Sequence, residues 1–169
     1  MIRFLLTCVA GAALVAGCAF PGFGAAGVQA GQSREQVIAS AGRPTATVPL
    51  PGGGQRLQYS LQPMGQQAWM VDLDAAGKVT SARQVFTATE FQRIQPGWSR
   101  ADVEREFGAP ARDEHVGSWN GPIMTYRWYE DRDMFWHVYL DPQGVVRRSH
   151  PAFEETRVTN PDNGVGVLP

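Results

Sequence analysis

The sequence contains one pattern of residues twice, and this duplication limits the folds open to the chain. The run Gly31-Gln32-Ser33-Arg34 recurs 66 positions later as Gly97-Trp98-Ser99-Arg100. Further matches pair Gly42 with Gly108, Pro44 with Pro110 and, after one inserted residue, Tyr59 with Tyr126, Trp69 with Trp136, Val71 with Val138, Leu73 with Leu140, Gly77 with Gly144, Val79 with Val146 and Phe86 with Phe153. Because the matched residues are glycines, prolines, aliphatics and aromatics, we expect a duplicated scaffold rather than a duplicated active site.

The N-terminal segment does not take part in the duplication. Arg3 precedes an apolar run over 4–15, and small residues follow up to Cys18. This order predicts a secretory signal peptide over 1–17, which is too short to span a membrane. Its end, Val15-Ala16-Gly17-Cys18, resembles the bacterial lipobox. The resemblance implies a diacylglycerol and an N-acyl lipid on Cys18, which would anchor the protein to a membrane. The alternative is an ordinary signal peptide with an incidental cysteine.

Composition favours a folded domain that does not bind nucleic acid. The formal net charge of the whole chain is −1 and 43% of its residues are hydrophobic, so the chain lacks a basic footprint but can form a core. A Gly- and Ala-rich stretch predicts a lipidated flexible tether over 18–30. A polar stretch predicts a disordered tail over 154–169. The two repeats then occupy 31–93 and 94–153. No cofactor is expected apart from the lipid on Cys18.

The same elements are expected in each repeat. Ser33 and Ser99 precede segments with helical spacing and are good N-caps, and Gly42 and Gly108 stand where those helices should end. Alternating segments and Asp-x-x-Gly turns then predict three antiparallel strands. A short helix is expected over 87–93. The predicted fold class is α+β, with two repeats that each have a helical start followed by a three-stranded meander, and with the helices on one face of the sheet.

This pattern of Gly-x-Ser-Arg-x-x-Val, Gly-x-Pro, an aromatic strand and an Asp-x-x-Gly-x-Val hairpin is similar to the SmpA/OmlA (BamE-like) domain of outer-membrane lipoproteins. A tandem pair resembles the β-lactamase inhibitor protein (BLIP-like) fold. The resemblance covers roughly 28–153. It implies a lipoprotein on the periplasmic face of the outer membrane, with the barrel-assembly machinery as a possible partner. Ala19, in place of the aspartate that retains lipoproteins in the inner membrane of enteric bacteria, also favours the outer membrane.

The histidines and acidic residues do not form a catalytic or metal-binding pattern. His115, His137 and His150 lack metal-ligand spacing to one another or to carboxylates. The acidic run over 130–133 is better explained as a solvated hairpin loop than as a cation site. We therefore expect no catalytic residues and no metal, and a protein that is not an enzyme.

The two repeats differ on one face of the sheet. The second repeat places aromatic and basic residues there, namely Arg127, Tyr129, Phe135, His137 and Tyr139. The corresponding residues of the first are Ser60, Gln62, Ala68, Met70 and Asp72. Tyrosine and arginine are enriched in binding hot spots, so this face is the candidate binding surface. The alternative is that the tail, the tether or the curvature of the sheet covers it.

These observations lead to two hypotheses about function. The first is a non-enzymatic outer-membrane lipoprotein that acts through protein–protein contacts in outer-membrane assembly or envelope maintenance. The second is an inhibitor-like or ligand-binding periplasmic module that caps an enzyme or a cell-wall component. An enzymatic role is a distant third.

Two substitutions test the candidate binding surface. Tyr139→Ala and Phe135→Ala should each weaken the capture of an envelope partner in a crosslinking pull-down, because hot-spot side chains carry much of the energy of an interface. The midpoint of thermal unfolding should barely move. A large loss of stability would instead assign this face to the core.

Overall fold

Residues 25–154 of the protein are described by a computed structural model. The predicted signal peptide, Cys18 and all of the predicted tail except Glu154 lie outside the described residues. Of the predicted tether, residues 25–30 are described, and Ala25 is fully buried against the first sheet. The elements in chain order are α1 (Arg34–Ala41), β1 (Ala46–Pro49), a 3₁₀ turn (Pro51–Gly53), β2 (Gln55–Ser60), β3 (Ala68–Leu73), β4 (Val79–Gln84), α2 (Ala88–Phe91), α3 (Arg100–Phe107), β5 (Arg112–Glu114), β6 (Ile123–Tyr129), β7 (Asp133–Leu140) and β8 (Val146–Phe153).

The predicted helix signals are confirmed in both halves of the chain. Ser33 and Ser99 are the N-caps of α1 and α3, and each helix begins with a capping box. Gly42 and Gly108 end these helices with φ near 80°, a conformation that glycine adopts without steric cost. The short α2 lies within the predicted segment 87–93.

The predicted fold class is wrong. The described chain is mostly β, with two separate four-stranded antiparallel sheets in the orders β1-β2-β3-β4 and β5-β6-β7-β8. The helices are short, with 8, 4 and 8 residues. The prediction of a helix followed by three strands therefore undercounted the strands in each half.

The two missed strands are edge strands with exposed residues. β1 has no buried residue and ends at Pro49, and β5 comprises only Arg112, Asp113 and Glu114. An edge strand has one hydrogen-bonded neighbour, so it tolerates proline and charged residues and need not alternate between apolar and polar positions. The periodicity that identifies a half-buried strand is therefore absent from both segments.

The helices also do not share one face of a single sheet. Val37 of α1 lies in one cluster with Leu57 and Val71 of the first sheet. The opposite face of that sheet, which includes Gln58 and Met70, contacts α3. Val103 and Phe107 of α3 lie in turn in a cluster with the second sheet. The layers are thus α1, first sheet, α3 and second sheet.

The larger core lies between the two sheets and is rich in aromatic side chains. Phe91 stacks on Phe107 at a centroid distance of 5.0 Å and on Trp136 at 5.1 Å. Trp128 meets Phe91 edge-on. Met70 of the first sheet belongs to the same cluster. The two halves of the chain therefore share one core.

A buried arginine holds α3 against the first sheet. Arg56 is 4% exposed, and its Nε and Nη2 donate to the two carboxylate oxygens of Asp72 at 2.6 and 2.9 Å. Its Nη1 donates to the carbonyl oxygen of Arg105 at 3.0 Å and lies 2.9 Å from the Glu106 carboxylate. Gln58 Nε2 donates to the carbonyls of Glu104 and Arg105. The first sheet thus satisfies the Arg105 carbonyl in the last turn of α3 and adds a second hydrogen bond to the Glu104 carbonyl, which also accepts from Gly108 N.

A glutamine links the edges of the two sheets. β5 pairs with β6 only as far as Thr125, so the backbone of Arg127 lies on β6 beyond the end of β5. The Gln62 side chain accepts from Arg127 N at 3.2 Å and donates to Arg127 O at 2.8 Å. The amide therefore satisfies both backbone groups as a neighbouring strand would.

Arg56→Met tests the junction between the halves. The substitution removes the buried cation that pairs with the half-buried Asp72 and Glu106, and removing one partner of a buried ion pair costs about 3–5 kcal/mol. We expect a loss of that size in the free energy of unfolding, measured by urea denaturation. Arg132→Met is the control because its ion pair with Asp131 is exposed, and it should leave the midpoint nearly unchanged. Equal midpoints for the two variants would contradict the role of Arg56.

Candidate functional site

The candidate site is the face of the second sheet that points away from α3. Along β7, Met134, Trp136, Val138 and Leu140 are buried in the core, and the residues between them point the other way. We call this second side the outer face. It comprises Arg112, Glu114, Thr125, Arg127, Tyr129, Phe135, His137, Tyr139, Arg148 and His150.

All five predicted binding residues lie on this face, and three of them are neighbours on β7. Phe135, His137 and Tyr139 occupy alternate positions of β7 and are half-buried. Tyr129 lies at the end of β6, where it is 57% exposed and its hydroxyl donates to Asp131 O. Arg127 forms hydrogen bonds and an ion pair with other residues of the described chain.

Arg127 joins the outer face to two other segments. Its Nε and Nη2 donate to the Glu154 carboxylate at 3.0 and 2.7 Å. Its Nη1 donates to the carbonyl oxygen of Met64 at 2.9 Å. These contacts fix the loop after β2 and the end of β8, so Arg127 supports the face rather than offering an open charge to a ligand.

A cluster of aromatic rings and one cation occupies one side of the outer face. The Arg148 guanidinium lies 4.2 Å from the centroid of the Tyr139 ring and 5.2 Å from that of Trp119. Tyr139 stacks on His150 at 5.1 Å and meets Trp119 edge-on at 5.3 Å. Stacked rings with a guanidinium above them form a rigid surface that is both apolar and positively charged.

A chain of hydrogen bonds occupies the other side of the outer face. Arg112 lies 4.5 Å from the Phe135 ring centroid and donates to Glu114 at 2.7 Å. The Thr125 hydroxyl donates to Glu114 at 2.6 Å and lies 2.9 Å from His137 Nδ1. Because the hydroxyl hydrogen is used by Glu114, His137 must donate from Nδ1 to the Thr125 oxygen. In the neutral ring, Nε2 is then free of a proton and can accept a hydrogen bond.

Burial controls the charge of His137. It lowers the pKa of His137 and outweighs the opposing attraction of the Glu114 carboxylate, which lies 3.7 Å away. Burial alone would raise the pKa of Glu114, but hydrogen bonds from Thr125 and Arg112 bring it below its usual value. The pair therefore consists of a neutral imidazole and a carboxylate at neutral pH.

Among residues 25–154, the Arg148 guanidinium on the outer face has no carboxylate partner. Arg112 pairs with Glu114, and Arg127 pairs with Glu154. Within residues 25–154, no carboxylate lies within ion-pair distance of Arg148. This arrangement suits a ligand with an apolar surface and a negatively charged group.

Four residues of the candidate site were not identified from the sequence. Arg112 and Trp119 lie outside the strands that the repeat predicted. Arg148 and His150 lie opposite Tyr139 and His137 in the register of β7 and β8. Period-two alternation along β8 was a usable signal for these two residues once the hairpin was recognised. Trp119 lies in a loop and is held by a hydrogen bond from its Nε1 to Leu140 O, which no local pattern predicts.

A second concavity lies at the junction of the halves. A groove of about 460 Å³ runs between β1 and α3, and its lining includes Ala46, Val48, Pro49, Ala101 and Ala109. The lining also includes Gln58, Glu104 and Arg105, which belong to the junction already described. The described residues contain no cluster of three or more His, Cys, Asp or Glu residues that could hold a metal ion. No helix within 25–154 is long and apolar enough to cross a membrane.

The acid–base behaviour of His137 provides a direct check of the geometry. Its pKa should lie below the ordinary value of 6.5, as measured by NMR titration of the ring protons. Because the folded-state pKa is lowered, this group's contribution to stability is complete above pH 6.5 and is lost as pH falls through the folded pKa. Glu114→Gln removes the attraction and should lower the pKa of His137 further. A pKa above 6.5 in the wild type would mean that the ion pair prevails over burial.

Comparison with known proteins leaves the family open. No family model matches the sequence, and no curated protein matches it. Among solved structures, the chain is similar to an extracellular protein containing an SCP domain from Bacillus anthracis str. Ames, at 12% identity over 90% of this chain and 50% of that one, with a TM-score of 0.32. It is also similar to a cysteine-rich secretory protein from Staphylococcus aureus subsp. aureus Mu50, at 10% identity over 75% of this chain and 44% of that one, with a TM-score of 0.29. The chain spans half or less of the length of each, and likeness at this level assigns neither fold nor function.

Proposed function

We propose that the protein is a non-enzymatic binding module. A lipid on Cys18 anchors it to the periplasmic face of the outer membrane, and the outer face of the second sheet holds an envelope protein. The observation that supports this proposal is the cluster of Arg148, Tyr139, Trp119 and His150. Tyrosine, tryptophan and arginine are the residues most enriched in binding hot spots.

The packing of the cluster favours binding with little loss of side-chain freedom. Trp119 is held by its hydrogen bond to Leu140 O, and Tyr139 is in contact with rings on both sides. A side chain that is already ordered loses less entropy when a partner binds. Arg148, which has no carboxylate partner among residues 25–154, supplies a cation for a carboxylate of the partner.

The order of the layers supports different roles for the two halves, one near the membrane and one in binding the partner. Ala25 is buried in the cluster formed by α1 and the first sheet, and Cys18 precedes it by the short segment 19–24. The outer face belongs to the last layer at the other end of the molecule. The first half would therefore lie near the membrane, with the binding face turned away from the lipid.

The proposed role is in outer-membrane assembly or envelope maintenance. Components of the barrel-assembly machinery are candidate partners, on the basis of the likeness of the repeated motif to SmpA/OmlA lipoproteins. A module of this kind needs no catalytic group, because its effect comes from holding a partner at the membrane surface.

Site-specific photo-crosslinking tests the proposed function. A photoreactive phenylalanine replaces Tyr139 on the outer face, or Thr80, which is exposed on the first sheet, as the matched control. After irradiation of intact cells, we expect an adduct with an envelope protein at position 139 and none at position 80. Adding Arg148→Glu should reduce the adduct at least tenfold, and Cys18→Ala should release the protein from the membrane fraction.

The identity of the adduct separates the outcomes. An outer-membrane assembly component supports the proposed role. A single soluble periplasmic enzyme would favour an inhibitor-like module instead. Equal labelling at positions 139 and 80 would mean that the outer face is not a binding surface.

A further inference from the structure

The first sheet has a face that corresponds to the outer face of the second sheet. Gln58, Met70 and Asp72 stand at the positions that Thr125, His137 and Tyr139 occupy in the second sheet. On the first sheet this face is filled by a helix, because Gln58 and Arg56 hydrogen-bond to the last turn of α3. The molecule therefore contains one occupied and one unoccupied version of the same surface within residues 25–154.

Charge positions the helix on the first sheet. The Glu106 carboxylate of α3 lies 2.9 Å from Arg56 and 3.0 Å from Arg83. The contact is close, since a methyl group on Gly108 would lie 3.6 Å from the methyl group of Met70 and 3.7 Å from the side-chain oxygen of Gln58. A helix with a carboxylate beside a small apolar contact surface is thus the kind of occupant that this face accepts.

The outer face of the second sheet has the dimensions and charges for a similar occupant. Arg112 lies on β5 and Arg148 on β8, at the two edges of a four-stranded sheet. Three strand spacings separate these edges, or roughly 14 Å, and a helix with its side chains is about 10–12 Å wide. The two side chains reach inward from these edges, so that the Arg112 guanidinium lies over the Phe135 ring and the Arg148 guanidinium over the Tyr139 ring.

We propose that the outer face binds an amphipathic α-helix of the partner protein, with carboxylates along both flanks of an apolar stripe. This inference rests on the proposed function and specifies the part of the partner that is bound. The apolar stripe would cover Phe135 and Tyr139, and the carboxylates would pair with Arg112 and Arg148. Arg148, which has no carboxylate partner among the described residues, would gain most from the contact.

A second copy of the chain is a poorer occupant. The helix that would dock by analogy is α1, and its Ile38, Ala39 and Ser40 stand where α3 has Glu104, Arg105 and Glu106. It therefore lacks the carboxylate that Arg56 and Arg83 contact in α3. Head-to-tail stacking of copies would leave Arg148 without a carboxylate from that turn of the helix.

Synthetic helices provide the test, with the full-chain lipoprotein in nanodiscs as the receptor. Three fluorescent 16-residue peptides share one leucine and alanine stripe. The first is a stapled helix with glutamates on both flanks, the second is the same helix with lysines, and the third carries the glutamates with two prolines in place of the staple. We expect the acidic helix to bind at least tenfold more tightly than either of the others in fluorescence anisotropy, and its affinity to fall as salt rises.

Variants locate the binding and provide a matched control. Arg148→Glu should weaken the acidic helix at least tenfold and favour the lysine helix. Lys78→Glu, which changes the same charge at an exposed turn of the first sheet, should have no effect. Equal binding of the proline peptide would mean an extended occupant and would overturn the proposal. Binding of the acidic helix that appears only after deletion of 155–169 would also overturn the proposal. Self-association of the protein that Arg148→Glu abolishes would overturn it as well.

The two proposals fail in different ways. If the photo-crosslink forms at Tyr139 but the acidic helix does not bind, the proposed function stands and the helical partner is wrong. If neither signal is seen, the outer face has no binding role.

Discussion

The buried guanidinium of Arg56 is the interaction on which the relation between the two halves depends. It bridges Asp72 of its own sheet to Glu106 and the Arg105 carbonyl of α3. A charge this deeply buried is tolerated only when it is paired and hydrogen-bonded. All of these partners are present only when α3 lies on the first sheet. The requirement to satisfy Arg56 therefore favours the position of α3 between the sheets.

Once α3 is held there, the two similar halves acquire different roles. Both faces of the first sheet are covered, one by α1 and the other by α3. Within the part of the chain that the structure describes, the second sheet is the last layer, and its inner face is covered by α3 and the shared aromatic core. On the remaining face, the small and polar residues of the first repeat are replaced by aromatic rings and arginines. Duplication thus accounts for the scaffold. The position of the second sheet as the last layer within residues 25–154 accounts for its accessible outer face.

Local signals in the sequence predicted local structure well. The serine caps, the glycine stops and the short α2 are confirmed because each depends on contacts within a few residues. The fold class was wrong because β1 and β5 are edge strands without alternation, and because the position of α3 depends on contacts of Arg56 and Gln58 far along the chain. For the site, alternation placed Phe135, His137 and Tyr139 on one face. Trp119 and Arg112 could not be predicted, because they reach the site from a loop and an edge strand.

Hydroxyl-radical footprinting of the protein, in the intact cell envelope and after purification, tests the central claim most directly. The claim is that the outer face is open in the isolated protein and covered by a partner in the envelope. We predict that oxidation of Trp119 and Tyr139 is several-fold slower in membranes than in the purified protein. Met64, which is 79% exposed and lies outside the cluster, should react equally in both. Equal oxidation of Trp119 and Tyr139 in the two samples would contradict the claim.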